Sequence, residues 1–167
     1  KTGISGMGEL GRKIAARVAG FEADVGYFSR SRHDLPYQYF SSLEALAAWC
    51  SVLMIAVRAG ADTHHIVNAD ILAKLGADGH VINIARGSVI DEAALAAALA
   101  DGTIAGAGLD VHEKEPRAPD ALTALQNVVL TPHIGGHTLE SHMAMQDCVI
   151  ANLEAFFASR PLAYPVS

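Results

Sequence analysis

Three short segments carry the side chains best suited to moving protons and holding anions. They are Val81-Ile82-Asn83-Ile84-Ala85-Arg86-Gly87, Gly108-Leu109-Asp110-Val111-His112-Glu113-Lys114-Glu115-Pro116 and Thr131-Pro132-His133-Ile134-Gly135-Gly136. Each follows or ends an apolar run that reads as a strand. In an open α/β sheet, ligands bind outside the carboxyl ends of the strands. Arg86, Glu115 and His133 are therefore expected at one cleft. Together these three groups can serve hydride transfer at a carbonyl. An imidazole gives or takes the hydroxyl proton, a carboxylate orients the imidazole, and a guanidinium polarises the carbonyl or holds a carboxylate.

A hydride needs a carrier, and the start of the chain suits one. Gly3-Ile4-Ser5-Gly6-Met7-Gly8-Glu9-Leu10-Gly11-Arg12 holds Gly6, Gly8 and Gly11 at G-x-G-x-x-G spacing, with an apolar run before and a helical pattern after. Gly6 would allow the tight turn out of the strand. Gly8 would let a pyrophosphate approach the backbone, and Gly11 would let the helix pack closely on the strand. The helix N-terminus then offers free N–H groups to phosphate. The whole loop, Gly6, Met7, Gly8, Glu9, Leu10 and Gly11, is a candidate cofactor-binding segment.

An NAD-binding chain carries Asp or Glu about twenty residues further on, for the ribose 2′-hydroxyl. Here the run Val25-Gly26-Tyr27-Phe28 is followed by Ser29-Arg30-Ser31-Arg32-His33, with no carboxylate. Two guanidinium forks and two hydroxyls suit a 2′-phosphate instead. The expected cofactor is NADP, with NAD the less favoured alternative. The competing interpretation is a solvated basic turn.

Composition sets the bounds. The 167 residues suit one domain, and 51% hydrophobic content is enough for a real core. A formal charge of −6 without a basic stripe argues against nucleic acid. No apolar run reaches the ~20 residues needed to span a bilayer. Cys50 and Cys148 sit in apolar contexts and suggest buried free thiols, which points to a cytoplasmic setting. The chain opens at Lys1, just before a strand and without an initiating Met, so material upstream is expected.

Stepping along the chain, short apolar runs alternate with helical patterns. The runs are Thr2–Ser5, Val25–Phe28, Val52–Val57, Val81–Ala85, Ile104–Leu109 and Val128–Leu130. Helices are expected near Glu9–Ala19, Ser42–Trp49, Asn68–Leu75, Asp91–Ala100 and Asp120–Leu125. Ser41 and Glu44 read as a capping box, and Asp91 as a cap. The alternation predicts an α/β fold: a Rossmann-type, doubly wound parallel sheet of six strands, with helices on both faces. A long C-terminal helix follows, from about Thr138 to Ser159. Its Met143, Met145, Val149, Ile150, Leu153, Phe156 and Phe157 form a broad apolar face. Residues 1–136 are expected to form a dinucleotide-binding domain, and 137–167 a helix and tail.

The glycine loop, the Ser-Arg-Ser-Arg turn, the Ala-Arg-Gly segment, the Asp-Val-x-Glu-x-Glu-Pro segment and the Thr-Pro-His-Ile-Gly-Gly segment come in one order. In that order and spacing the chain resembles the D-isomer-specific 2-hydroxyacid dehydrogenase family. Within it, the chain looks most like the NADP-dependent glyoxylate and hydroxypyruvate reductases. The resemblance implies Arg86 as the residue that binds and polarises the substrate, Glu115 as the partner of the histidine, and His133 as acid and base. It implies Asp110 near the nicotinamide carboxamide, and Val57, Thr63, Ile84, Ala85 and Gly135 along the cofactor cleft. The implied substrate is a small 2-keto or 2-hydroxy acid and the implied assembly a homodimer. It also implies a substrate domain before the glycine loop, to which the C-terminal helix returns. Isolated turnover is then expected to be weak, and the uncovered helix face is expected to drive self-association.

Departures from the family pattern are few. Arg58 stands where Pro is usual, either as a further phosphate contact or simply exposed. His137 replaces a small or polar residue. Glu22 replaces a customary Gly, which would strain the turn if φ is positive there. No metal is expected: Gly135-Gly136 separates His133 from His137, and adjacent His64 and His65 would point apart on a helix. His33, His64, His80, His112 and His142 read as surface or packing residues. A second class of function is a non-catalytic NADP-binding module or an interaction domain of corepressor type. The convergence of Arg86, Glu115 and His133 is what argues against it.

Overall fold

The computed structural model describes residues 1–165. The chain divides into two units, Lys1–Pro132 and the segment from His133 onward. The division falls four residues before the boundary expected from sequence at residue 136.

In the first unit, seven parallel strands form one sheet in the order β3-β2-β1-β4-β5-β6-β7. They are β1 (Thr2–Ser5), β2 (Val25–Phe28), β3 (Gln38–Phe40), β4 (Val52–Ile55), β5 (His80–Asn83), β6 (Gly106–Leu109) and β7 (Val128–Leu130). The order reverses between β1 and β4, the switch point where such sheets open a crevice. In register, Ser5 at the end of β1 lies beside Phe28 of β2 and Ile55 of β4, and Ile55 lies beside Asn83 of β5. The loops that follow these strands, which bear candidate site residues, thus leave the sheet side by side.

Helix α1 (Glu9–Ala19) covers β1 and β2 through a cluster of Ile4, Met7, Ala15, Val25 and Tyr27. The larger cluster gathers α2 (Leu43–Trp49), which packs on β1, β2 and β3, with α3 (Ala69–Leu75), α4 (Glu92–Ala100) and α5 (Asp120–Thr123) against side chains of β4, β5 and β6. Its buried side chains include Leu46, Leu53, Ile55, Leu72, Val81, Leu95 and Leu122. Burial of these apolar faces holds the helices on the sheet and so fixes the strand ends from which the loops leave. Asn68 caps α3 through Ile71 N–H at 3.1 Å, and Asp91 caps α4 through the N–H groups of Ala93 and Ala94.

Three sequence expectations are corrected, the first being that Cys148, expected as a buried thiol like Cys50, is only half-buried in the C-terminal helix. The sheet has a strand that was not expected, β3. It is a three-residue edge strand paired only to β2. The cap of α2 is Ser42, whose Oγ accepts the Ala45 N–H at 3.1 Å, so Ser41 and Glu44 do not form the box. The backbone enters the helix one residue later than the capping-box pattern suggested.

The second unit holds α6 (Leu139–Phe157), capped by Thr138 through Ser141 N–H. Met143, Met145, Val149, Ile150, Leu153, Phe156 and Phe157 are all exposed, so this apolar face is not core. Asn152 ties the tail back to the helix by two hydrogen bonds to the Tyr164 backbone.

Candidate active site

The loop from β1 into α1 separates glycines the fold requires from one it does not. Gly6 has φ +98, and a methyl there would come within 2.7 Å of the Ala56 carbonyl oxygen. A methyl on Gly11 would overlap the carbonyl oxygen of Gly6. Both glycines are structural. Gly8 is different: a methyl there would meet nothing within 4 Å. Gly8 is also the N-cap of α1, at φ −74, and no side chain caps the helix. The first-turn N–H groups of a helix have no intrahelical partner. An uncapped helix end behind an unfilled space fits a phosphate group. Met7 serves this loop through its backbone alone, since its side chain is core at 2% exposure. Glu9 and Leu10 are exposed in the first turn.

The turn after β2 is held from below. The hydroxyl of fully buried Tyr27 donates to the His33 carbonyl at 3.0 Å and accepts its N–H at 2.9 Å. Ser29 Oγ donates to the Ser31 carbonyl at 2.6 Å. Arg30, Ser31 and Arg32 are exposed on this braced turn. Arg12, on α1, approaches it: one guanidinium nitrogen lies 3.1 Å from His33 Nδ1. Arg12 was not among the residues expected at the cofactor, and His33 was expected to be a surface or packing residue. The available signal was the position of Arg12 one residue beyond Gly11, on the helix face that looks toward β2.

A cleft of about 340 Å³ opens at the carboxyl ends of β1, β4 and β5. Leu10, Ala56, Val57, Arg58, Ala59, Ile84, Ala85 and Arg86 line it. Six of these, Leu10, Val57, Arg58, Ile84, Ala85 and Arg86, were expected at the cofactor cleft from the sequence. Thr63 is spent on its own loop: its hydroxyl donates to the Arg58 carbonyl at 2.9 Å and accepts the Gly60 N–H at 2.9 Å. A larger groove of about 590 Å³ lies at the opposite end of the sheet, between Lys1, Asp24, Gln38 and Trp49. It sits at the amino ends of the strands, away from every glycine turn and from Arg86, and the chemistry favours the smaller cleft.

The loops bearing Arg86 and Glu115 are braced together. Buried Asn83 ends β5, and its side chain spans the next turn, donating to the Arg86 carbonyl and accepting the Ala85 N–H, both at 3.0 Å. Arg86 itself donates to the Ala85 carbonyl at 2.6 Å. Gly87 then packs on the backbone of His112 and Glu113 so closely that a methyl would overlap it. In the facing loop, Glu115 Oε1 accepts the His112 N–H at 3.2 Å, and the Glu115–Pro116 peptide is cis. Buried Glu92, in the first turn of α4, accepts the Glu113 N–H at 2.9 Å and lies 3.8 Å from His112 Nδ1. Asn83, Glu92 and His112 were not singled out as functional from the sequence. Asp110 follows β6, takes a hydrogen bond from the Thr131 hydroxyl, and its N–H bonds to the Asn83 carbonyl at 3.0 Å. His133 and Gly135 belong to the second unit. His133 opens that unit, half-buried, with φ 56, and the next turn closes with His137 N–H on the Ile134 carbonyl at 2.9 Å.

A parallel sheet with its glycine loop at the switch point, and an arginine and a carboxylate braced at adjacent strand ends, defines a dinucleotide-binding domain. Residues 1–135 match the family described as D-isomer specific 2-hydroxyacid dehydrogenase, NAD binding domain, and the chain belongs to that family. It is 42% identical to a hydroxyphenylpyruvate reductase of Plectranthus scutellarioides, over 99% of this chain and 53% of the relative. It is 44% identical to a 2-ketogluconate reductase of Gluconobacter oxydans, over 99% of this chain and 54% of the relative. The crystal structure of an NADPH-dependent glyoxylate/hydroxypyruvate reductase from Sinorhizobium meliloti, in complex with NADP and malonate, superposes with a TM-score of 0.97 at 42% identity. That match covers 100% of this chain and 53% of the other. The chain therefore spans about half the length of the curated relatives it matches. Among the described residues, no helix is long and apolar enough to cross a membrane.

Proposed function

We propose that this chain is the NADP-binding half of a reductase of small 2-keto acids, of the glyoxylate or hydroxypyruvate type, working as a homodimer in the cytoplasm. The observation that carries the NADP preference is the braced turn after β2. It presents Arg30 and Arg32, with Arg12 reaching the same turn through His33, and has no carboxylate among residues 29–33. A carboxylate in that place would repel a 2′-phosphate, whereas guanidinium forks pair with it. The uncapped end of α1 behind Gly8 fits the pyrophosphate, and the cleft lined by Val57, Ile84 and Ala85 fits the nicotinamide end.

When bound, the nicotinamide supplies the hydride. The chain's own groups then have separate tasks. Arg86 binds the substrate and polarises its carbonyl. His133 delivers the proton to the forming hydroxyl, and Glu115 orients that imidazole. The family match runs through residue 135, so it includes all three positions. Residues 1–136 serve as the nucleotide domain, and 137–167 as the arm that meets a substrate domain.

The test is calorimetric binding of NADPH and NADH, alongside NADPH oxidation on adding glyoxylate or hydroxypyruvate. NADPH is expected to bind more tightly than NADH. A charge-assisted hydrogen bond is worth about 1.5–3 kcal/mol. The double variant Arg30→Ala, Arg32→Ala should therefore lose at least ~10-fold in NADPH affinity while NADH is unchanged. Equal affinity for the two cofactors, or an NADH preference, overturns the cofactor assignment. Oxidation of NADPH with neither acid, in the presence of the rest of a family member's substrate domain, overturns the substrate class.

A further inference from the structure

We propose that His64, His65 and Glu113 form a binding site for a borderline divalent metal ion of the zinc, nickel and copper kind. The site stands apart from the reductase reading and does not rest on it. On a helix, two adjacent histidines would point apart. Here they follow a short 3₁₀ turn (Ala61–Thr63), and His65 takes φ 50. One left-handed residue undoes the usual alternation, so both rings come to the same side. They stack at 3.9 Å between centroids, 26° from parallel.

Glu113 faces both rings. Its Oε1 lies 3.0 Å from His65 Nε2 and 3.9 Å from His64 Nε2. The three ligand atoms all fall within 4.8 Å of one another. Zinc bonds imidazole nitrogen and carboxylate oxygen at ~2.0–2.2 Å, and tetrahedral angles then set the donors ~3.3 Å apart. The two measured separations bracket that spacing. Two imidazoles and a carboxylate are donors that zinc, nickel and copper accept. Magnesium and calcium, by contrast, favour oxygen alone. His64 is 57% exposed on its side chain, so a fourth position faces solvent.

The two backbones that carry the ligands are fixed without an ion. His65 N–H bonds to the Ser88 carbonyl at 2.9 Å. Glu113 N–H bonds to the buried Glu92 carboxylate at 2.9 Å. A left-handed non-glycine residue costs ~1–2 kcal/mol, yet the chain keeps one where it turns an imidazole onto a carboxylate. Loading asks the more exposed His64 ring to tilt so that its Nε2 and that of His65 face one point.

The test uses the metal-stripped chain. ZnCl₂ is titrated by calorimetry, and Co²⁺ by its visible absorption, which intensifies in a tetrahedral nitrogen–oxygen site. One equivalent is expected to bind, and the side-chain nitrogen resonances of His64 and His65 are expected to move first among the eight histidines. His65→Ala and Glu113→Gln should each weaken binding by at least ~10-fold, the loss that removing even an outer-shell partner causes. His142→Ala, on α6, should leave it unchanged. The resonance readout is taken on the unaltered chain, so it holds even if a variant fails to fold. No binding, binding that survives both substitutions, or first movement at other histidines overturns the proposal.

Discussion

Replacing Gly8 by alanine separates the needs of the fold from those of a ligand. A methyl at Gly8 meets nothing within 4 Å, and the residue's φ of −74 is open to alanine. Losing glycine's freedom in the unfolded chain stabilises by about 0.4–1 kcal/mol. Against this, alanine is the poorer N-cap by roughly 0.5–1 kcal/mol. The two nearly cancel, and for a chain of this size the expected change in Tm is within ~2 °C. Binding should behave otherwise. If pyrophosphate rests on the backbone at Gly8, the methyl displaces at least one charge-assisted hydrogen bond worth about 1.5–3 kcal/mol. NADPH affinity then falls ~10- to 150-fold. Gly11→Ala is the contrast, because its methyl overlaps the Gly6 carbonyl oxygen. Overpacking of this kind costs ~1–3 kcal/mol or more, enough to lower Tm by several degrees. Thermal unfolding without ligand, followed by calorimetry with NADPH, reads both effects. The reasoning fails if Gly8→Ala binds NADPH within about twofold of the parent. It also fails if its Tm falls as far as that of Gly11→Ala.

Glu22 sits at φ 60 after α1, with its N–H on the Ala19 carbonyl at 3.0 Å. Relief of ~1–2 kcal/mol of left-handed strain, less glycine's entropic cost of ~0.5–1 kcal/mol, predicts that Glu22→Gly raises stability by about 0.5–1 kcal/mol. A lower urea midpoint in this variant would refute the strain argument. Burial pushes the Cys50 thiol from 9.0 up to about 11, so at pH 8 Cys148 should react with a disulfide reagent and Cys50 should not. The sign follows from the folded state holding the thiol proton more tightly. The contribution to stability is complete below pH 9 and lost as pH rises toward 11. Denaturant unfolding at pH 8 and at about 10.5 checks it, in the Cys148→Ala background.

The candidate site residues stand out in the sequence because their types and positions match a chemical requirement. Gly6, Gly8 and Gly11 stand at a fixed spacing, and Arg86 follows an apolar run. Five helices of the first unit and six of its seven strands were visible as periodic runs. What was illegible had no local period. The edge strand β3 is Gln38-Tyr39-Phe40 just after Pro36, too short and too mixed to show alternation, and only pairing with β2 makes it a strand. The stacking of His64 on His65 depends on one left-handed residue, which no pattern of polar and apolar positions encodes. Glu92 looked like an ordinary first-turn carboxylate, since its partner, the Glu113 N–H, lies 21 residues away.

Two of the buried polar residues, Asn83 and Glu92, share a role that explains their burial. A buried carboxylate and a buried carboxamide are costly unless hydrogen-bonded. Glu92 and Asn83 each meet that requirement with backbone groups of a loop that bears a candidate site residue. Asn83 sets the turn that ends in Arg86. Glu92 sets the segment that leads to Glu115. Gly87 then presses the first turn onto the second, against His112 and Glu113. The two loops come from different strands, yet neither can shift without the other. A side chain on Gly87 or the loss of the Glu92 carboxylate would therefore displace Arg86 and Glu115 together, although none of the supporting groups needs to touch a substrate. Side-chain type marks which residues can react, while the buried polar groups beneath them decide where those residues stand.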